Sequence, residues 1–311
     1  MKMRTVIALI ALALASGTGS EARAAIKVIT STEDLAALVK EIGGDKVTVE
    51  SLAKGYQDPH FVEAKPSFVL KLNGADLLVV VGRELEQGWL PPLITQSRNA
   101  KIQPGGTNYL DASTTAKILD IPTGQITRAM GDVHPQGNPH YWLDPGNGRV
   151  IARAIAAKLS AVDPPGAAEY RSNLAAFEAK LAEAEKRWEA ALAPYAGMEL
   201  VTYHNSWPNF LKRFRLKAAG YSEPKPGIPP SPAHTVELIN LMNARKIPVI
   251  LMEPYFDERS PRAVAQKTGA TLLRFVPSVG GVPQAKDYIA LFDYDVKILA
   301  DALAAKKAGR P

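Results

Sequence analysis

Histidine is scarce in this sequence, and its positions indicate metal chemistry. The chain has five histidines in 311 residues. Three of them, His60, His140 and His204, occur in the segments DPHFVEAKPS, NPHYWLDP and LVTYHNSW, at predicted strand ends or in loops. A neutral imidazole is the commonest protein ligand for late first-row divalent metals, and three imidazoles with one further ligand form a frequent zinc arrangement. Together the three residues predict a metal site, whereas a single histidine at a strand end is usually an ordinary hydrogen-bonded residue.

The two remaining histidines are less informative. His134 precedes His140 by six residues in the segment GDVHPQGNPHYWLDP. It is open to two interpretations, an additional or alternative metal ligand or an ordinary exposed loop residue, and Asp132 shares them. His234 lies at the start of a predicted helix in PPSPAHTVEL, where we expect it to cap the helix or support a ligand and not to coordinate a metal.

The elements that position these residues alternate between short β-branched runs and longer helical patterns. Runs such as ADLLVVVG are apolar on both faces, which is typical of a parallel sheet covered on both sides by helices. The strand–helix alternation occurs in both halves and predicts two similar α/β lobes. Strands are predicted at residues 26–30, 47–52, 75–82, 116–121, 200–204, 218–223, 247–254 and 270–277.

A long amphipathic helix is predicted between the two halves, over residues 165–193. Its apolar residues recur at intervals of three, four and seven, as one helical stripe requires. A helix of that length suits a strut between two lobes. The predicted division is therefore an N-terminal metal-binding lobe (25–164), a linking helix (165–195) and a C-terminal metal-binding lobe (196–311). The stripe consists of Tyr170, Leu174, Phe177, Leu181, Trp188 and Leu192.

The first 24 residues have the pattern of a secretory signal peptide. Lys2 and Arg4 precede an apolar run, and Ala22-Arg23-Ala24 forms a small-x-small cleavage site. The run is too short for a membrane anchor, and with no cysteine in the chain there is no lipobox thiol. We therefore expect a periplasmic monomer. The formal net charge of +6, without a basic cluster among aromatic residues, argues against nucleic-acid binding.

Four segments resemble the zinc/manganese ABC-transporter substrate-binding proteins, the ZnuA/TroA-like group: DPHFVEAKPS, NPHYWLDP, YHNSWPNF and EPKPGIPPSPAH. They occur in the order that this family has, and the resemblance covers essentially the whole chain after residue 24. It implies two α/β lobes bridged by a rigid helix, with one divalent metal in the cleft between them. It also implies that His60, His140 and His204 are metal ligands, and that the protein delivers its ion to a membrane permease.

The sequence departs from this family at the fourth ligand. Where the family usually has an aspartate, Pro277 or Ser278 occupies the matching position in RFVPSVGG. Glu253 and Asp257, which follow a predicted strand, are the best substitutes, although a structural role is expected for Glu253 and a solvated one for Asp257. Three neutral imidazoles would leave the charge of a dication uncompensated. Because manganese prefers harder oxygen ligands, we expect Zn²⁺, with Mn²⁺ as the alternative.

Other functions are compatible with the same ligands. Three histidines with an open fourth position also occur in zinc hydrolases, and Glu253 would then be the candidate base. No HExxH or GxSxG motif supports that alternative. A metal-binding adhesin or metallochaperone would keep the site but change the partner.

Several residues lie close in sequence to the three histidines and are candidates to hold their rings or to cover the cleft. They are Asn138, Asp144, Asn205, Ser206, Glu63, Phe61, Trp142 and Trp207.

Overall fold

Two four-stranded parallel sheets form the framework of the protein. The computed structural model describes residues 24–308, so the predicted signal peptide lies outside the described residues except for Ala24. The sheets have strand orders β2-β1-β3-β4 and β6-β5-β7-β8, which are the same topology repeated. All six strand pairs are parallel. The prediction of two similar α/β lobes is confirmed.

The first sheet contains β1 (Ile26–Thr30), β2 (Val47–Ser51), β3 (Leu77–Val80) and β4 (Tyr109–Asp111). The second contains β5 (Glu199–Thr202), β6 (Lys217–Tyr221), β7 (Val249–Met252) and β8 (Thr271–Arg274). The helices are α1 (Glu33–Gly43), α2 (Pro66–Asn73), α3 (Leu90–Ser97), α4 (Pro145–Val162), α5 (Ala167–Leu192), α6 (Pro208–Arg213), α7 (Pro232–Arg245), α8 (Arg259–Thr268) and α9 (Tyr288–Ala308). Among the described residues, no helix combines the length and apolar character that crossing a bilayer requires.

The strand predicted at residues 116–121 is wrong. The fourth strand of the first sheet is β4, which ends five residues before that segment begins. The side chain of Asn147 explains the difference, because it accepts a hydrogen bond from the Lys117 backbone N–H at 2.8 Å and donates one to the Lys117 carbonyl at 3.0 Å. An amide side chain thus satisfies the backbone groups that a neighbouring strand would otherwise pair.

The long helix α5 lies between the two sheets in sequence, as predicted. It has 26 residues and is therefore about 39 Å long. Its apolar stripe is buried, with Leu174 the one partly exposed member. Trp188 stacks on Phe292 of α9 with ring centroids 5.0 Å apart, and its Nε1 donates a hydrogen bond to Asp293 at 2.7 Å. Helix α5 therefore packs against the C-terminal helix as well as joining the lobes.

The two lobes share a core and are also joined by a buried carboxyl group. One continuous apolar cluster includes strands of both sheets together with α1, α4, α5 and α9. Asp34 at the start of α1 accepts hydrogen bonds from the Ser278 hydroxyl at 2.5 Å and from the Val279 backbone N–H at 2.9 Å. Both partners follow the last strand of the second sheet. These contacts hold the lobes in one relative position.

Candidate metal centre

Three histidines from the two lobes converge on one space. The ring centroids of His60, His140 and His204 lie 5.1, 5.4 and 5.6 Å from one another. Each ring offers a nitrogen atom, and these atoms all lie within 4.8 Å of one another. His140 and His204 are buried, and the His60 side chain is 8% exposed. Three residues that are far apart in sequence are therefore placed as a single group.

The three rings are oriented through Nδ1. The Nδ1 of His60 lies 2.6 Å from a carboxylate oxygen of Asp58, and that of His140 lies 3.1 Å from the Asn138 amide oxygen. The Nδ1 of His204 lies 2.6 Å from a carboxylate oxygen of Glu223. A ring that donates its Nδ1 proton keeps the lone pair of Nε2 for a metal. The buried Nε2 atoms of His60 and His140 have no hydrogen-bond partner in residues 24–308.

The first lobe positions the rings of His60 and His140 by the same kind of turn. The Asp58 side chain also accepts a hydrogen bond from the His60 backbone N–H at 3.0 Å. The Asn138 side chain accepts one from the His140 backbone N–H at the same distance. A proline separates acceptor and histidine in both cases, forming Asp-Pro-His and Asn-Pro-His turns. Asn138, one of the predicted supporting residues, therefore holds the His140 ring. The sequence analysis missed Asp58, although the repeated acceptor-Pro-His pattern could have identified it.

The second lobe positions its ring through two adjacent strands. His204 lies two residues after β5, and Glu223 lies two residues after β6. Strands β5 and β6 are parallel neighbours in which Thr202 pairs with Tyr221, so both side chains leave the same edge of the sheet at the same level. Glu223 also accepts the backbone N–H of Gly227 at 3.2 Å. Glu223 was missed as well, because nothing local in the sequence links residues 204 and 223.

Carboxylates that were not predicted lie beside the rings of this group. Asp58 and Glu223 place carboxylates directly behind two of the three rings. Burial alone would raise the pKa of Asp58, but the hydrogen bond and the charge of His60 outweigh burial and lower it, so Asp58 stays ionised. Burial lowers the pKa of His204, but the bond to Glu223 and nearby carboxylates outweigh it and give a net increase.

His134 lies next to the group of three. Its ring centroid is 5.4 Å from that of His60. Its buried Nε2 lacks a hydrogen-bond partner among the described residues. Burial, together with His60 and His204, lowers the pKa of His134 to about 4, and a hydrogen bond of the ring to the Arg83 backbone partly offsets this. The ring is therefore neutral and mostly enclosed, which differs from an ordinary exposed loop histidine.

Glu253 and Asp257, the two acidic candidates for the fourth ligand, are not part of the histidine group. Glu253 is fully buried, and its Oε1 accepts a hydrogen bond from Trp207 Nε1 at 2.9 Å. Its pKa rises to about 7 because of burial. Asp257 forms an exposed ion pair with Arg259. Neither carboxylate belongs to the group whose ligand atoms lie within 4.8 Å of one another.

Pro277 and Ser278, which match the position of the family's aspartate, bond to residues outside the histidine group. Ser278 donates its hydroxyl to Asp34 in the first lobe, and the Pro277 carbonyl accepts a hydrogen bond from Trp142 Nε1 at 2.8 Å. His234 is also outside the group. Ser231 caps its helix, and the His234 ring bonds to the Tyr221 carbonyl through Nε2.

Other residues close in sequence to the histidines have structural roles. Asp144 caps α4 by accepting the Gly146 N–H at 2.8 Å. The Asn205 carbonyl accepts a hydrogen bond from Asn138 at 2.7 Å, which links the lobes beside the site. Ser206 is fully buried, and its hydroxyl has no hydrogen-bond partner among the described residues. The remaining members of this set are exposed or packed residues: Glu63, Phe61, Trp142 and Trp207.

Two similar α/β lobes that enclose a histidine-lined cleft define a two-lobed binding protein. A family model described as zinc-uptake complex component A, periplasmic (ZnuA), matches residues 28–302. The chain belongs to this family. The family is one of uptake components, so the chain is a binding protein and not an enzyme.

Individual relatives agree with this assignment. The manganese ABC transporter substrate-binding lipoprotein PsaA of Streptococcus pneumoniae is 27% identical over 94% of both chains. The metal ABC transporter substrate-binding lipoprotein FimA of Streptococcus parasanguinis has the same identity and coverage. A solved structure of ZnuA superposes with a TM-score of 0.74 at 25% identity, over 89% of this chain and 98% of that one. A zinc-bound deletion mutant of ZnuA gives 0.75 at 26% identity over the same coverage.

Proposed function

We propose that this protein captures one zinc ion with His60, His140 and His204 and delivers it to the membrane permease of an ABC importer. The observation that carries the proposal is the convergence of three rings whose Nδ1 atoms are held by oxygen acceptors. Each Nε2 is then free to coordinate without any change of tautomer. The lobes supply ligands jointly, so an ion bound here is enclosed between them.

The choice of zinc over manganese follows from the ligand atoms. The group offers imidazole nitrogen, which suits zinc, whereas manganese prefers carboxylate, carbonyl and water oxygen. The carboxylates of Asp58 and Glu223 bond to the rings and are not placed as direct ligands. Relatives named for manganese and for zinc both match this chain, so the choice rests on the chemistry of the site.

Delivery requires the second lobe to give up its ligand. The shared core and the bond from Asp34 to the segment after β8 restrict the lobes, so we expect a small movement and not a wide hinge. His204 is the member of the group that comes from the second lobe. A permease that separates the lobes slightly would remove this ligand from the ion.

We further propose that residues 1–24 are a signal peptide and that the mature protein is a monomer free in the periplasm. Export is supported by the family, which is described as periplasmic, and by curated relatives that are named lipoproteins. The absence of cysteine distinguishes this sequence from a thiol-acylated lipoprotein. The lobes would comprise residues 25–164 and 196–311, with residues 165–195 linking them.

Calorimetric zinc titration of single variants tests the proposed site. We expect His60→Ala, His140→Ala and His204→Ala each to weaken zinc binding at least about tenfold, or about 1.4 kcal/mol. His234→Ala is the matched control, because that ring lies outside the group and bonds to a backbone carbonyl. Manganese titrated against the zinc-loaded protein tests the choice of ion. Wild-type zinc affinity in the first three variants would refute the site.

A further inference from the structure

We propose that His134 is the fourth ligand of the bound ion, which makes the site a set of four imidazoles. This inference rests on the proposed function and assigns the position that the sequence left open. His134 lies in a loop of the first half of the chain. The family resemblance had instead indicated a carboxylate late in the second half. The loop is defined here as residues 131–137.

The ring of His134 has a buried nitrogen that is left unsatisfied. Its Nε2 is buried and has no hydrogen-bond partner in the part of the chain that the structure describes. The Arg83 backbone lies beside the ring and partly offsets the lowering of the pKa of His134. A buried nitrogen without a partner is unfavourable, so its retention indicates a ligand that satisfies it.

The ring also faces the same space. His134 lies in ring contact with His60, at 5.4 Å between centroids. It lines a cavity of about 100 Å³ together with His140 and His204. The three-histidine group within 4.8 Å does not include it, so a short inward movement of the loop is needed for coordination.

The loop begins and ends at glycines in the left-handed region and is attached to the second lobe. Gly131 and Gly137 have φ values of +77° and +95°, which glycine adopts without strain. The Asp132 backbone N–H donates a hydrogen bond to the Pro226 carbonyl at 2.9 Å. A Cβ at Gly131 would lie 2.2 Å from that same carbonyl oxygen. The loop therefore crosses the cleft, and movement of the second lobe would displace His134.

The four ligands are not held equally. Asp58 and Glu223 support their rings with carboxylates, and Asn138 supports its ring with an amide. In the part of the chain that the structure describes, no side chain supports the His134 ring in this way, and only the Arg83 backbone lies beside it. Because a carboxylate partner raises the basicity of a coordinating imidazole, His134 is the weaker ligand. It completes the tetrahedral nitrogen site that zinc accepts, and it leaves readily when the lobes separate.

The test is X-ray absorption at the zinc edge of the zinc-loaded full chain, which counts coordinating imidazoles. We expect four imidazoles in the wild type and in the control His234→Ala. His134→Ala should show three imidazoles and one oxygen, and its preference for zinc over manganese should fall at least about threefold. His134→Gln, which keeps a polar side chain in the loop, should behave like His134→Ala.

The possible results separate this inference from the proposed function. Three imidazoles in the wild type, or an unchanged count and metal preference in His134→Ala, would overturn the role of His134 alone. That conclusion holds if His60→Ala, His140→Ala and His204→Ala still weaken zinc binding. If those three variants bind zinc as the wild type does, the proposed function itself fails.

Discussion

The substitution Asp58→Asn isolates the electrostatic contribution of a residue that does not touch the metal. Asparagine has the shape of aspartate, and its amide oxygen can accept both hydrogen bonds that Asp58 accepts from His60. The chain already contains this arrangement at Asn138 and His140. The variant therefore keeps the orientation of the ring and removes one negative charge.

The magnitude follows from the distance. A carboxylate oxygen 2.6 Å from Nδ1 of His60 is about 7 Å from a cation bound at Nε2 of that ring. At an effective dielectric constant of about 20, a unit charge and a dication at that separation interact by about 5 kcal/mol. Water and the desolvation of Asp58 reduce the net effect, and loss of a group that supports a ligand typically costs about 10–100-fold in affinity. We expect a zinc affinity that is lower by that factor, or about 1.4–2.7 kcal/mol.

The assay is competition with a chelating zinc indicator at fixed pH and ionic strength, with circular dichroism to confirm the fold. Glu63→Gln is the matched control, because it removes the same charge from an exposed side chain that pairs only weakly with Lys65, at 3.8 Å. The control should bind zinc as the wild type does. Equal affinity of Asp58→Asn and Glu63→Gln would refute the argument that Asp58 compensates the charge of the ion.

Three further predictions concern buried groups. Burial raises the pKa of Asp34 from 3.8 to about 7, so the folded wild type retains a proton that the unfolded chain loses, and its stability falls as pH rises between those values. In the wild type this group lowers the free energy of unfolding by about 1.4 kcal/mol for each pH unit between pH 5 and 7, and Asp34→Asn should abolish that contribution in urea titrations. The same pH dependence in the variant and the wild type would contradict the pKa shift. Glu253→Gln should keep zinc affinity within about threefold in the same competition assay, since Glu253 bonds to Trp207 and lies outside the histidine group. Trp188→Ala should lower the free energy of unfolding by about 3–5 kcal/mol in denaturant titrations, because its ring is buried between α5 and α9.

Periodicity predicted most of the fold. Seven of the eight predicted strands overlap observed ones, because buried parallel strands are nearly continuous apolar runs. The apolar stripe of the long helix located α5 to within two residues at its start. The strand predicted at residues 116–121 failed because Asn147, about thirty residues away, provides its backbone hydrogen bonds. No local pattern contains that information.

The sequence predicted the three histidines that the fold brings together, but not the carboxylates that contact their rings. Histidine is rare enough in this chain for three strand-end or loop positions to be informative, and the family resemblance specified the same three. Glu223 was out of reach because its partnership with His204 depends on the pairing of β5 with β6, which only the folded sheet establishes. The burial of the His134 ring was unpredictable for the same reason, since residues of both halves of the chain enclose it.

The way each ligand is supported bears on how a tightly bound ion can be released. Lobes that share a core and are joined through Asp34 cannot separate widely without exposing apolar surface, so opening the cleft by a large hinge would be costly. His60 and His140, the proposed ligands of the first lobe, are fixed by turns within it and move with it as a unit. The connections that a small displacement breaks are those across the cleft, namely His204 and the loop that carries His134. Release is therefore expected to proceed by loss of ligands from one side while the first-lobe pair still holds the ion.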